Sequence, residues 1–167
     1  GQDSVVRHWL RAGASGWRLD VADELPDDFI AEIRSVMEEE KADSFLLGEV
    51  WEDGTTKVAY GVRRRHLLGG HLDGLMNYPL RNALLAYLLG GDACHFKDTM
   101  ETQRENYPPF ALHSSMNFLG THDTPRILTL LGVGSDCREK SKDWRAAYRM
   151  TPEEVLSAVT VNAACSC

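Results

Sequence analysis

Three apolar runs that each finish in a carboxylate constrain this chain more than any other feature. They are Gly16-Trp17-Arg18-Leu19-Asp20-Val21, Phe45-Leu46-Leu47-Gly48-Glu49-Val50-Trp51 and Phe118-Leu119-Gly120-Thr121-His122-Asp123. Runs this short and this apolar read as buried strands. Side chains alternate across a strand, so Arg18 and Asp20 project together while Trp17, Leu19 and Val21 face the other way. A charge pair on a strand covered on both faces is costly unless it lies at the strand's end or has a task. Arg18 beside Asp20 favours the ionised carboxylate, the state a carboxylate nucleophile needs. A structural ion pair at a strand end would explain one such run. Three in one chain are harder to explain that way.

The segments between these runs read as helices. Val5, Val6, Trp9 and Leu10 stand at helical spacing, with Gly13 where a left-handed cap would sit. After Pro26, Asp27 and Asp28 suit a helix's positive end, and Phe29, Ile30, Ile33, Val36 and Met37 make one apolar stripe to about Lys41. A weaker helical stretch is expected around Thr56 to Leu68. His71 to Asn77 reads as a further strand, closed by Tyr78-Pro79. Leu80, Leu84, Leu85 and Leu88 form the next helix, stopped by Gly90-Gly91, and a second piece with Phe96 and Met100 runs towards Pro108-Pro109. A strand is expected over Met116–Gly120, a short helix over Ile127–Leu131 and a polar loop over 134–149. Thr151-Pro152-Glu153-Glu154 has capping-box spacing and opens a last helix.

Strands alternate with helices about every 25 to 40 residues, which points to right-handed crossovers and a parallel sheet. A complete (β/α)₈ barrel takes about 250 residues, so the four strands counted here make near half of one. A doubly wound sheet is the competitor. Against it, no glycine-rich phosphate loop follows a strand, and acids at strand ends match the face where barrel enzymes keep their chemistry.

The 167 residues, 43% hydrophobic and 26% charged, can bury a substantial core, and no linker or repeat divides them. A net charge of -7, with Arg63-Arg64-Arg65 the one basic cluster, argues against a nucleic-acid partner or an anionic membrane surface. Cys94, Cys137, Cys165 and Cys167 lack the neighbours of a tetrahedral zinc site and read as free thiols. Neither a signal peptide nor a bilayer-spanning apolar stretch is visible, so a cytoplasmic setting is expected for a chain whose parent's N-terminus is unseen.

On Gly16-Trp17-Arg18-Leu19-Asp20, Gly48-Glu49-Val50-Trp51 and Gly120-Thr121-His122-Asp123, in this order and spacing, the chain resembles the catalytic barrel of the α-amylase family of glycoside hydrolases. The resemblance covers nearly the whole chain. It implies an α/β fold, a partial TIM (β/α)₈ barrel of strands four to seven with their helices, and makes residues 1–167 a fragment of one catalytic domain. It further implies that Asp20 is the nucleophile, Glu49 the general acid and base, and Asp123 the carboxylate that steadies the distorted sugar. Arg18 would orient Asp20, and His122 would hydrogen-bond the same sugar. The apolar flanks of Glu49, Leu46-Leu47 and Trp51, are expected to raise its pKa and keep it protonated for donation.

Substrate contacts are expected from Arg18, His122, Glu24, Trp51, Asn77 and Tyr78. For Trp51 and Tyr78, stacking on a sugar ring and packing in the core read equally well, Asn77 is as open, and Trp17 reads as packing. Asp23-Glu24 together with Leu75-Met76-Asn77-Tyr78-Pro79 is more similar to neopullulanases and cyclomaltodextrinases than to classical α-amylases, which tend to carry a Lys-His pair after the nucleophile. The family's earlier Asp and His motif, its first and eighth strands and the inserted domain that often carries calcium are not in this sequence. The resemblance thus implies a retaining hydrolase of α-glucosidic bonds in starch-type oligosaccharides, incomplete and inactive as this fragment. It implies no required cofactor, leaves calcium open for the parent enzyme with no site visible in this sequence, and gives an α-glucan substrate as partner, without nucleic acid or membrane. A homodimer of the full-length parent fits it as well. The competing class is a non-catalytic barrel relative kept for binding or assembly; the presence of all three acids favours the enzyme.

Overall fold

The first strand, β1 (Gly16–Leu19), is followed by a 3₁₀ turn (Ala22–Glu24), helix α2 (Asp27–Glu40) and strand β2 (Phe45–Gly48), with helix α1 (Val5–Arg11) leading in. These are seen in a computed structural model that describes residues 1, 3–127 and 130. The expected helix over Ile127–Leu131, the loop over 134–149, the helix from Thr151 and the thiols of Cys137, Cys165 and Cys167 fall wholly or mostly outside those residues. The chain divides into two compact units, Gly1–Pro79 with Glu101–Asn117, and Leu80–Met100 with Phe118 onward.

In the first unit, β1 and β2 pair in parallel from Gly16 opposite Phe45 to Leu19 opposite Gly48. Strand β5 (Gly74–Leu75) adds to the other side of β2, also in parallel, giving the order β1-β2-β5. Met116 continues that order through a single parallel bridge to Met76. Sequential parallel neighbours are the arrangement read from the sequence, but a helix joins only β1 to β2; the segment between β2 and β5 holds none. Gly16 is required where the β1–β2 pair opens, because a Cβ there would collide with the carbonyl of Phe45.

Helix α1 is capped by Ser4, whose Oγ accepts the Arg7 N–H, and Gly13 follows it at φ 109°, as its position after the helix predicts. Helix α2 buries Ile30, Ile33 and Met37 in one core with Leu46 and Leu75 of the sheet and Val50 beyond β2. Its stripe is narrower than expected, since Phe29 is exposed. In place of a further apolar residue it buries Arg34, whose Nε donates to the His71 carbonyl at 2.9 Å and whose Nη2 pairs with Asp73 at 2.5 Å. Asp73 also accepts the Leu46 N–H at 2.7 Å, so one carboxylate ties helix α2 to the entry of β2. A buried cation is tolerated because its donors are satisfied.

Four expectations are corrected. The stretch from Thr56 to Leu68 is no helix: β3 (Val58–Ala59) and β4 (Val62–Arg63) form a hairpin around Tyr60-Gly61. Both turn residues have positive φ, 53° and 75°, the primed turn that matches strand twist, and β-branched valines on either side favour the extended form. Strand β1 stops at Leu19 rather than Val21, because Val21 adopts a left-handed conformation at φ 44° and turns the chain outward, leaving its side chain exposed. The strand read over His71–Asn77 is only Gly74–Leu75. The one over Met116–Gly120 reduces to the bridge at Met116, and helix α3 (Tyr78–Leu88) begins at once after Asn77. Helix α4 (Ala93–Asn106) follows as expected, and an unexpected helix α5 (Pro109–Ser114) starts on Pro109, whose missing N–H costs nothing at a first helical position.

Candidate active site

The ends of β1 and β2 are locked by their own backbone. Glu49 N–H donates to the Leu19 carbonyl and Ala22 N–H to the Glu49 carbonyl, both at 2.9 Å. This register brings Arg18, Asp20 and Glu49 together. The Arg18 guanidinium spans both acids, with Nη1 at 2.5 Å from Asp20 Oδ1 and Nη2 at 3.0 Å from Glu49 Oε2. The second contact is an ion pair without hydrogen-bond alignment. Arg18 Nε reaches Met76 Sδ at 3.5 Å, so one side chain touches the ends of three successive parallel positions.

The two carboxylates differ in setting. Asp20 has a side chain 71% exposed, whereas that of Glu49 is 4% exposed. The apolar pocket expected around Glu49 is replaced by donors. Its side chain projects past the strand end, beyond buried Leu46 and Leu47, into the turn that Val21 makes. There Oε2 accepts the Val21 N–H at 3.1 Å, while Oε1 accepts the Trp51 Nε1–H at 3.1 Å and the Tyr78 hydroxyl at 3.0 Å. The left-handed Val21 is an outlier for a β-branched residue, and here it aims an N–H at the carboxylate.

The other sequence candidates fall as follows. Trp51 and Tyr78 stack on each other, ring centroids 4.5 Å apart at 13°. Tyr78 is 1% exposed and its ring faces no solvent, while Trp51 is 48% exposed and offers its outer face. Trp17 packs against the core. Asn77 is buried, donating to Asn117 Oδ1 at 2.9 Å and accepting from Gln103 at 2.6 Å. Glu24 is exposed and accepts the Tyr60 hydroxyl at 3.0 Å, which raises the pKa of that tyrosine. His122 and Asp123 lie in the second unit, where His122 Nε2 is 3.2 Å from Asp123 Oδ2 and the Asp123 N–H donates to Thr121 Oγ1 at 3.2 Å.

Sequence reasoning missed the second partner of Arg18 and the hairpin that leans on the turn after β1. Lys57 of that hairpin pairs with Asp23 at 2.9 Å and Glu52 at 2.6 Å, and these hydrogen bonds raise its pKa, that to Glu52 most. Arg64 donates to the Asp23 carbonyl at 2.8 Å. Apart from Lys57–Glu52, these contacts join residues more than thirty positions apart, and no local pattern announces them. Among the described residues no three His, Cys, Asp or Glu side chains gather as a metal-binding group.

A parallel sheet with two acids and an arginine at adjoining strand ends defines a class, and the comparisons with known proteins agree with it. The family model of the α-amylase catalytic domain matches residues 2–156, and the chain belongs to that family. The family's catalytic domain is a TIM barrel, to which this mixed α/β chain contributes. Similar proteins include a cyclomaltodextrinase of Geobacillus thermopakistaniensis, 37% identical over 131 residues, which cover 77% of this chain and 21% of that protein. Another is neopullulanase 2 of Thermoactinomyces vulgaris, 33% identical over 130 residues, with coverage of 77% and 21%. Among solved structures, the cyclic α-maltosyl-(1→6)-maltose hydrolase of Arthrobacter globiformis in complex with maltose superposes with a TM-score of 0.67 at 30% identity, covering 75% of this chain and 27% of that one. The chain spans about a fifth of the length of these two curated relatives.

Proposed function

We propose that residues 1–167 are the strand-four-to-strand-seven segment of the catalytic barrel of a retaining α-glucan hydrolase, acting on α-glucosidic bonds of starch-type oligosaccharides. The observation that carries this reading is the single guanidinium of Arg18 between an exposed Asp20 and a buried Glu49. Two carboxyl groups of opposite setting, at neighbouring strand ends, suit the two roles that retention requires.

In this reading Glu49 gives a proton to the leaving glycosidic oxygen as Asp20 attacks the anomeric carbon, forming a glycosyl ester. Water then attacks that carbon, Glu49 takes the water's proton, and Asp20 leaves as carboxylate. Both steps run on these two acids without a cofactor. Asp123 steadies the distorted sugar, His122 hydrogen-bonds it, and the exposed face of Trp51 is a platform for a sugar ring. Among the described residues β1 pairs with β2 alone, an open edge that invites association, and a segment of a barrel is without the walls that the rest would give a substrate.

The test is the stereochemistry of the full-length parent. NMR at early times should show product with the configuration of the substrate, and an inverted first product would overturn the mechanism. The isolated 167 residues should be oligomeric by light scattering and inert on maltooligosaccharides. A monomer turning over at about 1 to 10³ per second would refute the fragment reading.

A further inference from the structure

We infer that Tyr78 is the positioning residue that lets Glu49 serve first as acid and then as base; the inference rests on the reading of Glu49 proposed above. Glu49 changes protonation state twice in a catalytic cycle, and its neighbours must fit both states. Three of them fit only one. The Val21 N–H, the Trp51 indole N–H and the Arg18 guanidinium can give hydrogen bonds but cannot receive them. They match a carboxylate. A carboxylic acid brings a proton of its own, and inside the fold that proton needs an acceptor.

A hydroxyl meets the need, since it rotates about its C–O bond and can donate or accept. Tyr78 supplies it at 3.0 Å from Glu49 Oε1, on a ring that is 1% exposed and fixed by the Trp51 stack. In the acid form the proton sits on Oε1 with the Tyr78 oxygen as its acceptor, until the glycosidic oxygen takes it. The Tyr78 O–H then turns to donate to the carboxylate, the arrangement in the structure, and stays so until Glu49 draws a proton from water. Tyr78 keeps its own proton throughout. The net transfer is from Glu49 to the leaving oxygen, and from water back to Glu49.

The experiment compares kcat/KM of the full-length parent on two substrates, a maltooligosaccharide with a poor leaving group and a nitrophenyl glycoside that needs little acid assistance. Tyr78→Phe should lose about tenfold or more on the first, the worth of one hydrogen bond to a charged group, and less than about threefold on the second. A tyrosine with only a structural role would lower both alike, and equal loss, or none, overturns the inference. Glu49→Gln on the same pair separates the two readings. If it too loses equally on both, the acid assignment of Glu49 falls. If it discriminates while Tyr78→Phe does not, the assignment stands and only the role of Tyr78 falls. Should Tyr78→Phe fail to fold, 3-fluorotyrosine at position 78 keeps the ring and the donor but weakens the acceptor, and the same selective loss on the maltooligosaccharide is expected.

Discussion

Glu49 and Asp123 both follow an apolar run and are both read as catalytic, yet the chain holds them in different ways. Glu49 is buried, and its partners come from four stretches: Arg18 on β1, Val21 in the turn, Trp51 beyond β2 and Tyr78 at the start of α3. Among the described residues the partners of Asp123 come from its own turn, where Thr121 and His122 contact it and Thr124 Oγ1 accepts the Thr121 N–H at 2.8 Å. His122 is 75% exposed. A carboxylate held from several distant stretches is set in place by the fold, whereas one held by its sequence neighbours is set by a turn. The first kind should couple activity to stability, and the second should not.

The sharpest break of that comparison is in activity. Glu49→Gln in the parent enzyme should lower turnover on poor leaving groups by at least ~10²-fold, since acid catalysis typically supplies 10²–10⁴-fold. Next in size is stability. Arg18→Leu strips the cation from a buried carboxylate and should cost about 3 kcal/mol in urea unfolding, at the low end for a broken buried pair because the guanidinium is itself part-exposed. If the variant unfolds at the wild-type urea concentration, Glu49 is not held as described.

A buried titratable group of a different kind extends the contrast. His66 is fully buried, and neither ring nitrogen has a hydrogen-bond partner among the described residues. Burial lowers its pKa; the charges of Asp27 and Asp23 oppose the shift, and those of Arg64 and His71 add to it. The unfolded chain then binds more protons than the folded one below the ordinary value of 6.5, so stability should be level above that pH and fall as pH drops from 6.5 towards the depressed folded value. His66→Leu should flatten that slope, and an unchanged slope in urea melts between pH 7 and pH 5 would refute the assignment. The smallest effect is expected from Asp123→Asn, which should leave urea stability within about 0.5 kcal/mol while it lowers activity. A large loss of stability would show that Asp123 is held by more than its turn.

The parallel order of the sheet was legible because apolar runs, caps and glycines repeat a local pattern: Ser4 and Gly13 bound α1, and Asp27 opens α2. The hairpin at Tyr60-Gly61 was not legible, because its deciding feature is a positive φ at a tyrosine, a residue that does not favour one. Arg34 escaped notice on a helix face read as apolar, because its partner Asp73 is 39 residues away.

The acids at the ends of β1 and β2, and the pairing of Arg18 with Asp20, are properties of the sequence, since alternation along an extended strand is a local rule. That Tyr78 faces Glu49 rather than a sugar, that Trp51 covers it, and that Arg18 bridges two acids were decided only by the tertiary structure. Those contacts depend on which strands lie side by side and where each stops. Strand register is set by the packing of the whole sheet against its helices, and no window of sequence contains it.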